Sequence, residues 1–434
     1  MKHLSLLFCA IFFTFSSLYA QYTNIPDSNF EQKLIDFGHD DVLDGQVLTT
    51  NIENVNHLNI SWSQITDLTG IEDFTALTDL YCHDNELTSL DVSSNTALTT
   101  LYCWNNELTS LDVSNNTVLT ALHCYGNELT SLNLDSNSAL SYLDCSDNEL
   151  TNLDVSTNTD LIRFSCSSNE LISLDVTTNI ALISLYCYDN ELTNLDVSTN
   201  TALTDLNCSY NELISLDVST NTALTYLDCS DNELTSLDVS NSTALTFLYC
   251  TYNELTSLDV SNNAALTDLY CSDNELTSLD VSTNTALTEL WCSDNELTSL
   301  NLKNGNNTIL NFFYGPFNSN LSCIQVDDVD YSNTSSSWYK DASAIYSTDC
   351  ATASATTETL LEKTNIFVNT NKEVQIKTPL IASFKIYNLT GQELLKGKLE
   401  EHTNLLDLKG FSNGLYMLQL SHKNQQESKK FLLY

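Results

Sequence analysis

Eleven of the fourteen cysteines stand at positions 82, 103, 124, 145, 166, 187, 208, 229, 250, 271 and 292, a spacing of 21 residues that never slips. A chain that repeats at a fixed short period buries its apolar face by stacking one unit on the next, so the middle of this protein is predicted to be a solenoid. One unit, Leu77 to Ala97, reads LTDLYCHDNELTSLDVSSNTA. Leu80 and Cys82 alternate with Asp79, Tyr81 and His83, the period-two pattern of a short strand with one face inside. Leu87, Leu90 and Val92 then return the chain on the other side. That return is rich in Ser, Thr, Asn and Asp, which favour local turns over helix, so extended or 3₁₀ segments are expected there.

Leu77, Leu80, Cys82, Asn85 and Leu87 fall on the spacing L-x-x-L-x-C-x-x-N-x-L. This resembles the leucine-rich repeat, with Cys at the third apolar position, and the resemblance extends over 55–314. It implies a β-rich solenoid with a 21-residue period and a parallel sheet. It also implies a structural ladder of asparagines that turn inward and bond neighbouring backbone at each strand end: Asn85, Asn106, Asn127, Asn148, Asn169, Asn190, Asn211, Asn232, Asn253, Asn274 and Asn295. The unit carrying Val55, Leu58, Ile60, Ile65, Leu68, Ile71 and Phe74 looks like the internalin type of repeat.

Both ends of the solenoid need caps. Residues 21–54 are expected to form a helical N-terminal cap, because Asp27 to Phe37 (DSNFEQKLIDF) places a capping Asp before Phe30, Leu34 and Ile35. Ile309, Phe312 and Tyr314 make a degenerate last strand, and 315–350 a second cap. Cys323 and Cys350 flank this irregular segment, and a disulfide between them is predicted to stabilise it by about 3 kcal/mol. The ladder cysteines read differently. They include no C-x-x-C, their rungs lie about 4.8 Å apart, and their number is odd, so they are expected to be free, buried and apolar in behaviour.

The first twenty residues read as a signal peptide. Lys2 and His3 precede an apolar stretch from Leu4 to Phe15, and Leu18-Tyr19-Ala20 offers a cleavage site before Gln21. No second long apolar run follows, so no transmembrane segment is expected. Beyond a linker at 351–364, the chain alternates in short strands from 365 to 434, the pattern of a small antiparallel β-sandwich of about seven strands. Tyr387-Asn388-Leu389-Thr390-Gly391-Gln392, then Leu408 to Tyr416 (LKGFSNGLY), and Lys430 to Tyr434 (KFLLY) resemble the C-terminal sorting domain of the type IX secretion system of Bacteroidota. Where that family usually opens with Pro-Asn-Pro, this chain has Asn369-Thr370-Asn371. The resemblance implies export to the periplasm followed by passage across the outer membrane. The secretion machinery is then one partner, and the destination is the cell surface or the medium. As a whole, the chain resembles the internalin-like secreted proteins of flavobacteria.

Charge narrows the remaining partners. Fifteen Lys and Arg against 57 Asp and Glu leave a formal charge of −42, which excludes nucleic-acid binding through a basic surface. Residues 75–302 hold 34 acidic side chains and one basic one, Arg163. Two acidic ladders run along the repeats, one from Glu86 to Glu296 and one from Asp91 to Asp280. They offer weak calcium association at most, and no cofactor and no dedicated metal site is read from the sequence. Asp40, Asp41, Asp44 and Gly45 only partly follow a calcium-loop pattern. Seven scattered histidines, and the absence of G-x-S-x-G, H-E-x-x-H or a phosphate-binding glycine loop, argue against an enzyme.

The outward strand positions are the candidate binding surface. They carry Tyr81, Tyr102, Trp104, Tyr125, Tyr142, Tyr186, Tyr188, Tyr226, Phe247, Tyr249, Tyr270 and Trp291, mixed with Asp79, Asp144, Asp205, Asp228 and Asp268. Aromatic side chains on a concave sheet supply contact area at low entropy cost, which points to a protein partner and to adhesion or recognition. The same rings could stack only on one another across the strands. A surface glycan is the alternative ligand, and a cation-stabilised structural spacer the alternative role.

Overall fold

The computed structural model describes residues 20–351, 365–368, 372–378, 382–400, 402–422 and 425–433. Residues 1–19 of the expected signal peptide, the linker beyond Ala351 and the Asn369-Thr370-Asn371 segment lie outside them. The chain divides between Ile345 and Tyr346 into two compact units.

In the first unit each coil contributes one three-residue strand, from Asp79–Tyr81 through Thr100–Tyr102 to Glu289–Trp291. His57–Asn59 precedes this series, and Phe312–Gly315 and Trp338–Lys340 follow it, to complete a parallel sheet of 14 strands. Leu80 pairs with Leu101 and Tyr81 with Tyr102, and the same 21-residue step recurs along the repeats. A one-residue slip would turn every leucine outward, so the burial of one face holds the register. Leu77, Leu80, Cys82, Leu87 and Val92 are fully buried, and so are their counterparts in most coils. The return segments are chiefly turns, with short paired strands at Ser278–Asp280, Ser299–Asn301 and Cys323–Gln325 near the C-terminal end.

The eleven ladder cysteines are buried and free. Burial pushes the thiols of Cys82, Cys187 and Cys292 up to about 12, so they stay neutral and pack as small apolar groups. Cys323 and Cys350 are disulfide-bonded.

Polar groups at the strand ends are met by side chains. Asn106 donates from Nδ2 to the carbonyls of Cys82, Cys103 and Trp104 at 3.1, 3.0 and 3.3 Å, and its Oδ1 accepts from the Leu87 amide at 3.0 Å. Asn127, Asn148, Asn169, Asn190, Asn211, Asn232, Asn253, Asn274 and Asn295 repeat this pattern, and Asn85 bonds Cys82, Ile60 and the Ser63 and Ile65 amides.

A second asparagine ladder runs along the return side at 95, 116, 137, 158, 179, 200, 221, 263 and 284, all fully buried. Asn116 Nδ2 donates to the Val92 and Asn95 carbonyls at 3.1 and 2.9 Å. Ser242 takes the missing rung and bonds the Asn221 carbonyl. The sequence carried this signal too, because Asn95 recurs every 21 residues as strictly as most of the leucines.

The Asp91 ladder is part of the backbone turn. Asp91 Oδ1 accepts from the Ser93 amide at 2.9 Å, and Asp112, Asp154, Asp175, Asp196, Asp217, Asp238, Asp259 and Asp280 do likewise two residues on. Hydrogen bonds from the Ser93 side chain and backbone hold the Asp91 carboxyl below its ordinary range. Asn133 and Asn301 make the same bond in their coils, so this position serves a local turn throughout. The Glu86 ladder is exposed.

At the N-terminal end the helix Ser28–Asp36 is capped by Asp27, which accepts from the Asn29 and Phe30 amides. Phe30 and Leu34 close the first coil, and Phe30 stacks on Phe74 with ring centroids 6.2 Å apart. Buried Glu31 reaches the loop behind and accepts from the amides of Asp44, Gly45 and Gln46.

The second unit holds seven strands among the described residues, in a three-stranded and a four-stranded antiparallel sheet. Val374 and Ile376 of the first sheet and Phe384, Ile386, Leu418 and Leu420 of the second share one buried core. Six strand segments were legible in the sequence. The seventh, Glu393–Leu399 (ELLKGKL), hides behind Gly397 and two lysines. Its glycine lies against the Phe384 ring, where a Cβ would come within 2.7 Å of Cε1.

Candidate binding face

The strands present three columns of outward residues, because side chains alternate along a strand and neighbouring strands are in register. The middle column begins Asn59, Tyr81, Tyr102, His123 and Asp144, and ends Tyr249, Tyr270, Trp291, Tyr314 and Tyr339. Trp104, Tyr125 and Tyr188 stand two residues further on in their coils. Tyr142, Tyr226 and Phe247 occupy first strand positions.

The candidate residues form two tracts rather than one. In the first, Tyr81 meets Tyr102 at 5.0 Å and Trp104 stacks on Tyr125 at 5.3 Å, 9° from parallel. Three histidines join it: His57 packs on Tyr81, His83 stacks on Trp104 at 3.9 Å, and His123 packs on Tyr102. Burial lowers the His123 pKa, so its ring is held neutral. In the second tract Tyr226, Phe247 and Tyr249 cluster, Tyr249 stacks on Tyr270 at 4.5 Å, and Trp291 lies 5.6 Å from Tyr270. The tract runs on through Phe312, Tyr314 and Tyr339.

Between the tracts lies a polar stretch with Asp144, Arg163, Ser165, Asp205 and Asn207. Tyr142, Tyr186 and Tyr188 belong to this stretch and make no ring contact among the described residues. Tyr142 and Tyr188 are well exposed. Arg163 and Asp144 share a depression of about 260 Å³ with His123, Tyr142 and Tyr186.

Several residues of this face were not singled out from the sequence. Phe312 and Tyr314, expected as a degenerate last strand, do form one and continue the columns, as does Tyr339, which the irregular spacing beyond Leu290 and Phe313 hid. Another missed feature is a column of left-handed residues one step after the third column. Asp84, Asn105, Gly126, Asp147, Ser168, Asp189, Tyr210, Asp231, Tyr252, Asp273 and Asp294 all have φ between 50° and 64°. Asp, Asn and Gly tolerate this region best, and the aspartates there serve the turn. Ser168, Tyr210 and Tyr252 are the exceptions, and both tyrosine rings are exposed. Among the described residues no group of three or more His, Cys, Asp or Glu is placed to hold a metal ion.

A parallel sheet built from 21-residue coils, with an inward asparagine at each strand end, defines a leucine-rich-repeat protein. Residues 363–434 match the family described as the secretion system C-terminal sorting domain. The chain is therefore an exported leucine-rich-repeat protein with a type IX sorting domain, destined for the cell surface or the medium. Among the described residues no helix is long and apolar enough to cross a membrane.

Among solved structures it is similar to the functional domain of InlJ from Listeria monocytogenes, which includes a cysteine ladder. The two are 29% identical with a TM-score of 0.65, over 96% of this chain and 99% of that one. An internalin, InlF, of the same organism matches at 21% identity and TM-score 0.54, over 70% of this chain and 96% of its own. The leucine-rich effector YopM from Yersinia pestis matches at 22% and 0.53, over 74% and 86%. These last two share the fold. No curated protein matches the sequence.

Proposed function

We propose that the protein is a recognition or adhesion module that holds a partner protein against the strand face of its solenoid, and that it is not an enzyme. The observation that carries this reading is the pair of aromatic tracts, around Trp104 and around Trp291, on one face of a rigid 14-stranded sheet. Rings held by their neighbours lose little entropy on binding, and the polar stretch between them offers hydrogen-bonding groups and one guanidinium. The C-terminal sorting domain supports a place at the surface or in the medium, where such a face can meet a partner. Asn190, Asn106 and their ladder partners serve the fold in this reading, as does the disulfide of Cys323 and Cys350.

The test is capture from host-surface and environmental extracts with the exported chain. It compares the parent with Trp104→Ala/Tyr125→Ala, with Tyr270→Ala/Trp291→Ala, and with Ile172→Ser on the return side. A protein held by the parent and the Ile172 variant but lost from either aromatic variant is the expected result. Equal recovery by all four overturns the reading. Release by a soluble polysaccharide and not by protein competitors transfers the face to a glycan.

A further inference from the structure

We infer that the second aromatic tract contains a pocket for a cationic side chain, an arginine presented by the partner, formed by Tyr252, Tyr270, Trp291 and Tyr314 with Asp273 and Asp294 at its edge. This rests on the reading of the strand face as a protein-binding surface and names the chemistry of what it holds.

The pocket is a depression of about 420 Å³ lined by four aromatic rings, by Asp273 and Asp294, and by Thr251, Ser272 and Ser293. The Trp291 ring lies between those of Tyr314 and Tyr270, with centroids 5.2 and 5.6 Å away. Ring faces attract a cation through their quadrupoles, and a guanidinium, planar and weakly hydrated, stacks on them better than an ammonium. The indole Nε1 of Trp291 is buried without an acceptor, so it is the ring and not its N–H that meets a guest.

The charges favour the same guest. Asp231, Tyr252, Asp273 and Asp294 are successive members of the left-handed column, and the amides of the first three donate to the Thr251, Ser272 and Ser293 carbonyls of the next coil. Tyr252 therefore stands between two carboxylates, with a third one coil beyond. Among the described residues none of the three has an ion-pair partner. Partial burial, and then the charges of Asp294 and Asp231, hold the Asp273 carboxyl above its ordinary range. A cation entering the pocket relieves that repulsion. A neutral sugar would stack on the same rings and leave the repulsion in place.

Asparagine tolerates the left-handed backbone, so Asp273→Asn and Asp294→Asn remove charge without disturbing the turn. The probe is a labelled peptide with one arginine among glycines and alanines, titrated onto the exported full chain beside its citrulline analogue, which has the same shape and no charge. The arginine peptide is expected to bind at least about tenfold tighter than the citrulline one. The double Asp→Asn variant and Trp291→Ala should each abolish that preference, while Asp84→Asn at the far end of the sheet keeps it. Equal binding of the two peptides overturns the inference, as does a preference that survives both pocket variants. If the aromatic variants lose a captured protein while Asp273→Asn/Asp294→Asn retains it, the cation pocket fails and the strand-face reading stands. If no strand-face variant alters capture, that reading fails first.

Discussion

A single asparagine per coil has more work than any other residue of the repeat. Asn190 donates to the carbonyls of Cys166, Cys187 and Tyr188 and accepts from the Leu171 amide, so four backbone groups depend on it. Asn179 on the return side donates to the Val155 and Asn158 carbonyls only, and its own buried Oδ1 meets no donor among the described residues. Truncating a side chain strands its partners at about 1–3 kcal/mol for a buried group. Asn190→Ala is therefore expected to cost about 3 kcal/mol and Asn179→Ala about 1–2 kcal/mol, because the second change also removes an unpaired oxygen. Urea denaturation midpoints decide this, and the reverse ranking would refute the division of labour. The chain already tolerates Ser242 in the second ladder, whereas all eleven positions of the first are Asn.

At the scale of the coil, the left-handed column sets where stability can be gained. Ser168 holds φ at 51°, a conformation that costs an L-residue about 1 kcal/mol relative to glycine. Gly126 occupies the same position at φ 64°, with the Asn105 Oδ1 2.4 Å from where a Cβ would stand. Ser168→Gly is expected to raise stability by about 0.5 kcal/mol after the entropy of the freer unfolded chain is counted. Gly126→Ala is expected to lower it, through both the backbone and the clash. Thermal melts of the two variants against the parent check both signs, and a stabilised Gly126→Ala would contradict the geometry.

For the molecule as a whole, acid should act in two opposite directions. Burial raises the Asp228, Asp231 and Asp273 carboxyls, so the folded chain binds protons there more readily than the unfolded one. Stability at these sites falls as pH rises through their folded values and is recovered on acidification, in step with the relief of a −42 net charge. The turn aspartates Asp91, Asp112, Asp154, Asp175, Asp196, Asp217, Asp238 and Asp259 are lowered by their Ser or Thr partners. Their contribution is present above the ordinary carboxylate value and is lost as pH falls through the folded one. The urea midpoint is thus expected to rise on mild acidification from neutral pH, and to drop steeply once the pH falls below the ordinary carboxylate range. A monotonic fall from neutral pH would mean that the turn aspartates outweigh the repulsion.

The amino-acid sequence alone determined the solenoid, because a 21-residue period leaves one way to bury Leu80, Cys82 and Leu87 in every coil. It determined the outward columns by strand alternation, and the sorting domain by its motifs. The second asparagine ladder was equally written there, since Asn95 recurs with the period. Only the tertiary structure decided which rings touch. Alternation says that a side chain faces outward, but the split into two tracts depends on which coils lack an aromatic ring and on which rings neighbouring strands bring together. The joining of Phe312, Tyr314 and Tyr339 to Trp291 depends on strand pairing across irregular spacings, which no period encodes. The left-handed backbone that brings Tyr252 between Asp231 and Asp273 arises from the turn each coil must make to meet the next, a constraint of stacking that no single repeat contains.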